Sequence, residues 1–457
     1  MTELLHLGNE AQKRGDFAKA QVYYEEAVRR DPSDLASMAN LATMLSAQNK
    51  LDAAEALLRR IVVRAPNDSD QWLALGNVLM RQEKLDECLA PLTTAVELRR
   101  ENPDIHVNLA AAAYRKREFD TAERLLRHVL SLGATHHSTW FDLAHVMLAQ
   151  GNLDNGLELY ENRWHTLAHS EAWDHHIPEW RGEDLTNKHL LISAEQGFGD
   201  MIMLSRFIES LDADEVYIAV PKSMTRLFAT QCWGIDVFDL SHLPVDLGEM
   251  CDYHVPMFDL MRWLKVVPGE IDPTPYLVSP ANGPVVPKTG AFNVGICWAS
   301  GNHGTKNNWR RRVTDLSLWL PLAEVPGVRL WSLQIDTGKS DIAACGAGGL
   351  VCDYMDRITD WADTAALVNQ LDLVISVDTG IVHLAGALGV PVWMLSQKSP
   401  CWRWWNIARG SGLPWYEDFQ IYWRESADYS WQSLLKRAKA DLSDLTSTVE
   451  VSNGTTG

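Results

Sequence analysis

The sequence is poor in the features that mark membrane, secreted and nucleic-acid-binding proteins. Its 457 residues contain no apolar run near the roughly 18 residues that cross a bilayer, and the N-terminus lacks the basic region and apolar core of a signal peptide. The 41 lysines and arginines are outnumbered by 60 aspartates and glutamates, so the clustered cations needed for general nucleic-acid binding are missing. We therefore expect a cytoplasmic protein that neither inserts into a membrane nor binds nucleic acid.

Cysteine and the common cofactor motifs are also scarce. The seven cysteines are scattered without a Cys-x-x-Cys pair, which indicates reduced thiols rather than a disulfide framework or a zinc site. There is no Gly-x-Gly-x-x-Gly fingerprint and no Walker loop. His165, His169, His175 and His176 lack the cysteine or paired carboxylate that would complete a metal site, so a polar connector is the preferred interpretation. The sequence predicts no metal and no bound cofactor.

The N-terminal third contains a repeat of 34 residues. A leucine followed by a small residue recurs at Leu7, Leu41, Leu75, Leu109 and Leu143. This period and these residue types resemble the tetratricopeptide repeat, in which small residues let antiparallel helices approach and larger residues fill the joint between repeats. We expect about five repeats over residues 1–165, forming an α-solenoid. Its concave groove is predicted to bind a protein, with a purely structural spacer as the alternative.

A second periodic feature is an aspartate close to the turn inside each repeat. The five residues are Asp16, Asp52, Asp86, Asp120 and Asp154. Because an aspartate carboxylate accepts hydrogen bonds from the first N–H groups of a helix, each is predicted to cap the second helix of its pair.

The C-terminal two-thirds predicts an α/β fold with two lobes. Predicted strands at residues 189–194, 216–220, 292–298, 328–333, 373–377 and 391–395 alternate with helical segments, which favours parallel sheets. A stretch rich in proline and glycine separates two Rossmann-like lobes. We place the first lobe with its connector at 166–285, the second at 286–440 and a disordered tail at 441–457. Ligands of such sheets bind beyond the carboxyl ends of the strands, so polar loops should converge there.

The most informative motif follows the predicted strand 373–377. Asp378, Thr379 and Gly380 form a turn that opens a helix, and His383 lies in its first turn. The free N–H groups and the dipole of a helix N-terminus make an anion site, which His383 can also reach. Taken alone, an ordinary turn with a packed histidine is an equally good interpretation.

Four motifs together carry a resemblance to a known family. They are the segment 195–200 (Glu-Gln-Gly-Phe-Gly-Asp), Trp298–Asn302 with Arg310–Arg312, the block 377–389, and Trp402-Arg-Trp404 with Pro414-Trp-Tyr416. They resemble glycosyltransferase family nine, the ADP-heptose:lipopolysaccharide heptosyltransferase group, in its bacterial relatives fused to tetratricopeptide repeats. The resemblance covers nearly the whole chain. It implies a GT-B fold and metal-independent, inverting transfer from a nucleotide-sugar donor, with Asp200 as base and phosphate contacts from Thr379, Gly380 and His383.

The residues offer a consistent chemistry for such a transfer. Displacement at an anomeric carbon needs a base near the acceptor and stabilisation of the departing phosphate. Asp200, in a turn with Gly197 and Gly199, is the predicted base, and a helix N-cap is its alternative role. Several cations follow residue 305, and we favour Lys306 and Arg312 for neutralising the diphosphate.

A tryptophan-rich segment lies near the C-terminus. Its members are Trp402, Trp404, Trp405, Trp415, Trp423 and Trp431. They could stack on sugar or base rings, but aromatic side chains at this density are more often packing, which is the preferred interpretation.

The fusion itself predicts the acceptor. Repeats that bind peptides, joined to a sugar-transfer region, indicate glycosylation of a docked protein, such as flagellin or another bacterial surface protein. One alternative is a lipopolysaccharide or polysaccharide acceptor, with the repeats recruiting the assembly machinery. The other is a non-catalytic scaffold with a degenerate transferase region, against which the intact Asp200, Thr379, Gly380 and His383 count.

Overall fold

The computed structural model describes residues 2–166, 176–300, 314–335, 338–396, 401–404, 415–423 and 430–454. The chain divides into two compact units, Met1–Ser170 and Glu171–Gly457. The first unit is helical throughout its described residues, and the second contains two parallel sheets. The sheets fall on either side of residue 285, but the lobe boundaries at 166, 286 and 441 stay predictions.

Ten helices in consecutive pairs build the described part of the first unit, followed by one short helix. They are α1 (Thr2–Lys13), α2 (Phe17–Arg30), α3 (Leu35–Ala47), α4 (Leu51–Arg64), α5 (Ser69–Arg81), α6 (Leu85–Leu98), α7 (Pro103–Arg115), α8 (Phe119–Ser131), α9 (His137–Ala149), α10 (Leu153–Tyr160) and α11 (Arg163–Thr166). Each of the first nine helices packs against the next one in the chain, and α11 packs against α9. The predicted α-solenoid of helical repeats is confirmed.

Small residues at the 34-residue period let the paired helices approach. A Cβ added at Gly8 would lie 2.5 Å from the Tyr24 ring, and one at Gly76 would lie 2.5 Å from the Leu92 side chain. The equivalent small residues of the second helices, Ala20, Ala54, Cys88 and Ala122, are fully buried. A larger side chain at these positions would push the helices apart and open the core.

Capping residues that also recur every 34 residues fix where the first helix of a repeat begins. The side chains of Asp34, Asp68 and Asn102 accept hydrogen bonds from backbone N–H groups in the first turns of α3, α5 and α7. Each such cap contributes about 1 kcal/mol to helix stability. These residues were not among the predicted caps.

The aspartates near the inner turns correct the prediction made for them. Only Asp16 caps its helix, by accepting from the Lys19 N–H. In the later repeats the helix begins two residues earlier than expected, so the aspartate lies at its second position. Three of these side chains instead contact the next repeat, in the pairs Asp52–Gln82 at 2.7 Å, Asp86–Lys116 at 3.2 Å and Asp120–Gln150 at 3.1 Å. They therefore join neighbouring repeats.

The first sheet of the second unit has four parallel strands in the order β3-β2-β1-β4. The strands are β1 (His189–Ser193), β2 (Glu215–Val220), β3 (Asp236–Asp239) and β4 (Tyr253–Pro256). Helices α12 (Phe198–Ser205), α13 (Lys222–Ala229), α14 (Leu247–Met250) and α15 (Leu260–Trp263) accompany them. The chain runs from β1 into α12 through residues 194–197, which places the start of α12 at the carboxyl edge of this sheet.

The second sheet has six parallel strands in the order β10-β9-β8-β5-β6-β7. They are β5 (Phe292–Cys297), β6 (Val328–Ser332), β7 (Val351–Cys352), β8 (Leu373–Val377), β9 (Val392–Ser396) and β10 (Phe419–Trp423). The helices are α16 (Gly338–Ala344), α17 (Trp361–Val368), α18 (Gly380–Ala387) and α19 (Trp431–Gly454). Strand order reverses between β5 and β8, and such a switch point leaves a crevice beyond the carboxyl ends of the two strands.

The C-terminal helix differs from the predicted disordered tail at 441–457. Helix α19 continues to Gly454, and the hydroxyl of Tyr422 donates to the Asp441 carboxylate at 2.7 Å. Leu434, Leu435 and Leu442 are buried against the second sheet. The polar residues that end the sequence made the helical spacing of these leucines difficult to recognise. Helix α19 therefore continues well beyond residue 441.

Candidate functional site

A cavity of about 420 Å³ lies at the switch point of the second sheet. Its walls come from the turn 197–200 before and within α12, the end of β5, the end of β6, the turn 378–383 and the segment around Arg403. The turn 197–200 belongs to the first sheet and the other walls to the second. The expected convergence of polar loops at the carboxyl edges is therefore present in the described part of the chain.

The turn after β8 presents a helix N-terminus to this cavity. Every residue of β8 is buried, and Asp378 is buried directly after it. Thr379 is the N-cap of α18 but makes no side-chain capping bond to it; its hydroxyl lies 3.1 Å from Ser376 Oγ. The N–H groups of Gly380 and Ile381, the first two of α18, are thus available for an anion, because the N-cap side chain takes neither.

The N-termini of α12 and α18 meet at two glycines. A Cβ added at Gly199 would lie 2.6 Å from His383 Cδ2 and 3.2 Å from Gly380 Cα. A Cβ added at Gly380 would lie 2.7 Å from the Trp361 ring and 3.4 Å from the Gly199 nitrogen. Because neither residue has a side chain, the positive N-termini of α12 and α18 reach the same cavity. Helix α12 follows a strand of the first sheet and α18 a strand of the second.

His383 is fixed by two aromatic side chains. Its ring is buried, stacks on Trp404 with centroids 5.0 Å apart, and places Nδ1 2.9 Å from the Tyr416 hydroxyl. Burial raises the pKa of Tyr416 well above its usual value, so the phenol stays protonated and can donate to Nδ1. A neutral imidazole that accepts at Nδ1 carries its proton on Nε2. In the tautomer whose Nδ1 accepts from Tyr416, His383 offers an N–H donor at Nε2 beside Gly199, at the wall of the cavity.

Asp200 lines the same cavity, and its position corrects one expectation. It is the third residue of α12, whose N-cap is Gly197, so the alternative role of N-cap is wrong. Its Oδ2 accepts from the Gly197 N–H at 3.3 Å, and its Oδ1 forms an ion pair with Arg403. The carboxylate is mostly buried, with 16% of the side chain exposed. It is thus a charged group held at a helix N-terminus by contacts from both sheets.

Arg403 is the site residue that the sequence did not reveal. The motif Trp402-Arg-Trp404 is part of the family resemblance, but no role was predicted for its arginine. The guanidinium lies in the cavity wall beside Asp200. Its partner is 203 residues earlier in the chain, so no local spacing could have connected the two. A cation between buried aromatic residues was the one available signal.

The remaining predicted residues divide into two groups. Gly197, Gly199, Asp378, Thr379 and Gly380 all line the cavity together with Asp200 and His383. Lys306 and Arg312 lie outside the described residues, as do Trp405, His169 and His175. Within the described ranges no group of three or more histidine, cysteine, aspartate or glutamate side chains is arranged to hold a metal ion.

The tryptophans behave largely as packing residues. Trp402, Trp404 and Trp415 are fully buried, and Trp404 supports His383. Trp423 and Trp431 are partly buried.

None of the helices in the described part of the chain is both long and apolar enough to span a membrane.

Family models match most of the helical repeats and one segment of the second unit. Tetratricopeptide repeat models match residues 11–78 and 73–137, and the model of glycosyltransferase family 9 (heptosyltransferase) matches residues 358–405. The last match includes Asp378, Thr379, Gly380, His383 and Arg403 but not the turn that carries Asp200. The chain therefore has tetratricopeptide repeats in its N-terminal third and a C-terminal segment, residues 358–405, that is similar to glycosyltransferase family 9.

The individual proteins that the chain resembles share low sequence identity with it. Protein FlbA of Caulobacter vibrioides is 26% identical over 333 residues, which cover 66% of this chain and 54% of that protein. The chain thus spans about half the length of this relative. Among solved structures, YrrB, described as a TPR protein with an unusual peptide-binding site, is 16% identical with a TM-score of 0.33, covering 36% of this chain and 87% of YrrB. TTC0263, a thermophilic TPR protein of Thermus thermophilus, is 21% identical with a TM-score of 0.31, covering 36% of this chain and 91% of TTC0263.

Proposed function

We propose that this protein is an inverting, metal-independent glycosyltransferase of GT-B architecture that moves a sugar from a nucleotide-sugar to a protein acceptor. The observation that carries the proposal is the meeting of two helix N-termini, a histidine donor and a buried carboxylate at one cavity. The match to glycosyltransferase family 9 supports the sugar-transfer chemistry. In this proposal residues 166–285 form the acceptor-side lobe and residues 286–440 the donor-side lobe.

The donor diphosphate would bind against α18. The N–H groups of Gly380 and the following residue and the Nε2–H of His383 supply donors for its oxygens. As the bond from the anomeric carbon to the diphosphate breaks, the phosphate leaves with the electron pair, and these fixed donors stabilise the new charge. Lys306 and Arg312 remain our predicted additional cations. Asp378, Gly197 and Gly199 shape the same pocket.

Asp200 would act as the general base on the acceptor. The acceptor hydroxyl attacks the anomeric carbon from the side opposite the diphosphate, and its proton passes to the Asp200 carboxylate. One displacement of this kind inverts the anomeric configuration. Glu195, the other carboxylate of this loop, accepts from the Phe258 N–H and does not line the cavity. Asp200 is therefore better placed than Glu195.

The tetratricopeptide repeats would bring the acceptor. A repeat array offers an extended surface for a peptide or helix, which supports a protein acceptor such as flagellin or another surface protein. Transfer to a lipopolysaccharide or polysaccharide acceptor is the alternative outcome. With its seven cysteines taken as reduced thiols, we propose that the protein acts in the cytoplasm.

Transfer can be tested with a panel of ADP-, UDP-, GDP- and CMP-linked sugars. Nucleotide release and the sugar mass added to candidate flagellin or surface proteins would be measured for the wild type, Asp200→Asn and the exposed control Asp212→Asn. We expect Asp200→Asn to lower turnover by about 10²–10⁴-fold and the control to leave it unchanged.

Other outcomes decide between the alternatives. Addition of sugar to lipopolysaccharide but to no protein would replace the protein acceptor. Absence of turnover and of nucleotide binding in the wild type would favour a non-catalytic scaffold. Normal turnover in Asp200→Asn would move the base to Asp378, the other carboxylate among the described lining residues.

A further inference from the structure

The ion pair between Asp200 and Arg403 joins the two sheets of the second unit. Asp200 is on α12, which follows β1 of the first sheet, and Arg403 follows β9 of the second. Their side chains are 16% and 12% exposed, respectively. Because most of the solvent is excluded from both groups, the attraction between the two charges is screened less than in a surface salt bridge.

The position of Arg403 is itself fixed by aromatic residues. Its guanidinium carbon lies 4.9 Å from the centroid of the Trp402 ring and 5.5 Å from that of Phe258. The Trp415 indole N–H donates to the Arg403 carbonyl at 2.9 Å, and both Trp402 and Trp415 are fully buried. The side chain therefore points toward Asp200 from a rigid support rather than from a solvated surface.

The two oxygens of Asp200 have different partners. Oδ2 accepts from the Gly197 N–H of its own turn, and Oδ1 accepts from the Arg403 guanidinium. A carboxylate oxygen has two lone pairs, so each oxygen keeps one that can take a proton. The arrangement thus fixes the plane of the carboxylate without using up its capacity to accept.

We propose that Arg403 is a positioning residue that orients the Asp200 carboxylate toward the acceptor hydroxyl. This rests on the proposed transfer reaction. The base follows a strand of the first sheet, and the cation that orients it follows a strand of the second. The base is therefore correctly oriented only when both sheets are in place. In this role Arg403 acts through Asp200 and not through a contact with the donor phosphate.

Two other roles for Arg403 make different predictions. A direct contact with the donor diphosphate would make nucleotide affinity depend on Arg403. A purely structural pairing would make stability depend on it while turnover per folded molecule stayed constant. The positioning role alone makes the effect of Arg403 on turnover disappear when Asp200 has already been replaced.

The test is a double-mutant cycle in the full-length chain. Turnover with the active nucleotide-sugar, and affinity for the matching nucleoside diphosphate, would be measured for Arg403→Gln, Asp200→Asn and the double variant. We expect Arg403→Gln to lower kcat by about 10²-fold, as displacement of a reacting group by about 1 Å can do. Nucleotide affinity should stay within about twofold, and Arg403→Gln should cause no further loss in the Asp200→Asn background.

Two further variants separate function from folding. Arg403→Lys keeps the charge and should recover part of kcat, although it loses the planar fork. Arg181→Gln breaks an exposed pair with Glu179 and serves as the matched control, with unchanged kcat expected. Thermal unfolding of each variant reports the folded fraction. If Arg403→Gln does not fold, the cycle is measured with Arg403→Lys.

Three results would overturn the proposal. Losses that multiply in the double variant would show that Arg403 acts independently of Asp200. A tenfold or greater loss of nucleotide affinity would make it a phosphate contact. Normal kcat in Arg403→Gln beside a defective Asp200→Asn would reduce the pair to a structural one. By contrast, normal turnover in Asp200→Asn would remove the base from the proposed function, and the positioning role with it.

Discussion

Replacing Gly199 by alanine adds one methyl group where α12 meets α18. That methyl carbon would lie 2.6 Å from His383 Cδ2, whereas carbon atoms in ordinary contact are about 3.5–4.0 Å apart. The histidine ring is held by Trp404 and Tyr416 and has little room to withdraw. The two helix N-termini must therefore separate by about 1 Å, the difference between the two distances.

The energetic effect of Gly199→Ala combines two opposing contributions. Overpacking of this kind costs about 1–3 kcal/mol, while alanine in place of glycine within a helix returns about 0.5–1 kcal/mol. We expect a net loss of about 0–2.5 kcal/mol, which lowers the Tm by up to about 10 °C for a unit of this size. Because the displaced groups are the proposed reacting groups, turnover should fall by about 10²-fold.

The assay compares Gly199→Ala with Gly269→Ala by thermal unfolding, nucleotide titration and turnover. Gly269 is the matched control, since a Cβ there would meet no atom within 4 Å. Wild-type stability together with wild-type turnover in Gly199→Ala would mean that the close approach of the two helices has no bearing on the site, and the reasoning from the glycines would fail.

Three further predictions test other parts of the account. Transfer should persist in EDTA, because the proposed phosphate donors all come from the protein; activity lost in chelator and restored by a divalent ion would contradict this. Deleting residues 1–165 should abolish transfer to protein but keep slow hydrolysis of the donor, and loss of nucleotide binding as well would make the repeats part of the transferase core. Tyr416→Phe removes the donor to His383 Nδ1 and should weaken nucleotide binding by about 2–10-fold in a calorimetric titration, the equivalent of one hydrogen bond; unchanged affinity would contradict the proposed tautomer.

The strands that sequence patterns predicted are rich in apolar residues. β1, β5 and β8 each lie in the middle of a sheet, where both faces are covered, and their composition reflects this. β3 and β7 are short edge strands, and β4 ends in a proline, so none has a run long enough to recognise. β10 is concealed in the tryptophan-rich segment.

The candidate site shows the same division between local and long-range information. The turn Asp378–Gly380 with His383 was predictable because strand, glycine and helix follow one another within a few residues. The contacts of Gly199 with His383 and of Asp200 with Arg403 join residues about 180 to 200 positions apart. Such contacts depend on how two sheets pack, and no spacing in the sequence encodes them.

The central claim is that the cavity binds a nucleotide-sugar through α18 and His383, with Asp200 serving chemistry rather than binding. Calorimetric titration of ADP, UDP, GDP and CMP into the wild type, His383→Ala and Asp200→Asn tests it most directly. The account predicts that the wild type binds at least one nucleotide, that His383→Ala weakens this binding by about 10–100-fold, the effect of losing a hydrogen bond to a charged group, and that Asp200→Asn does not weaken it. Binding of no nucleotide, or equal losses in both variants, would contradict the claim.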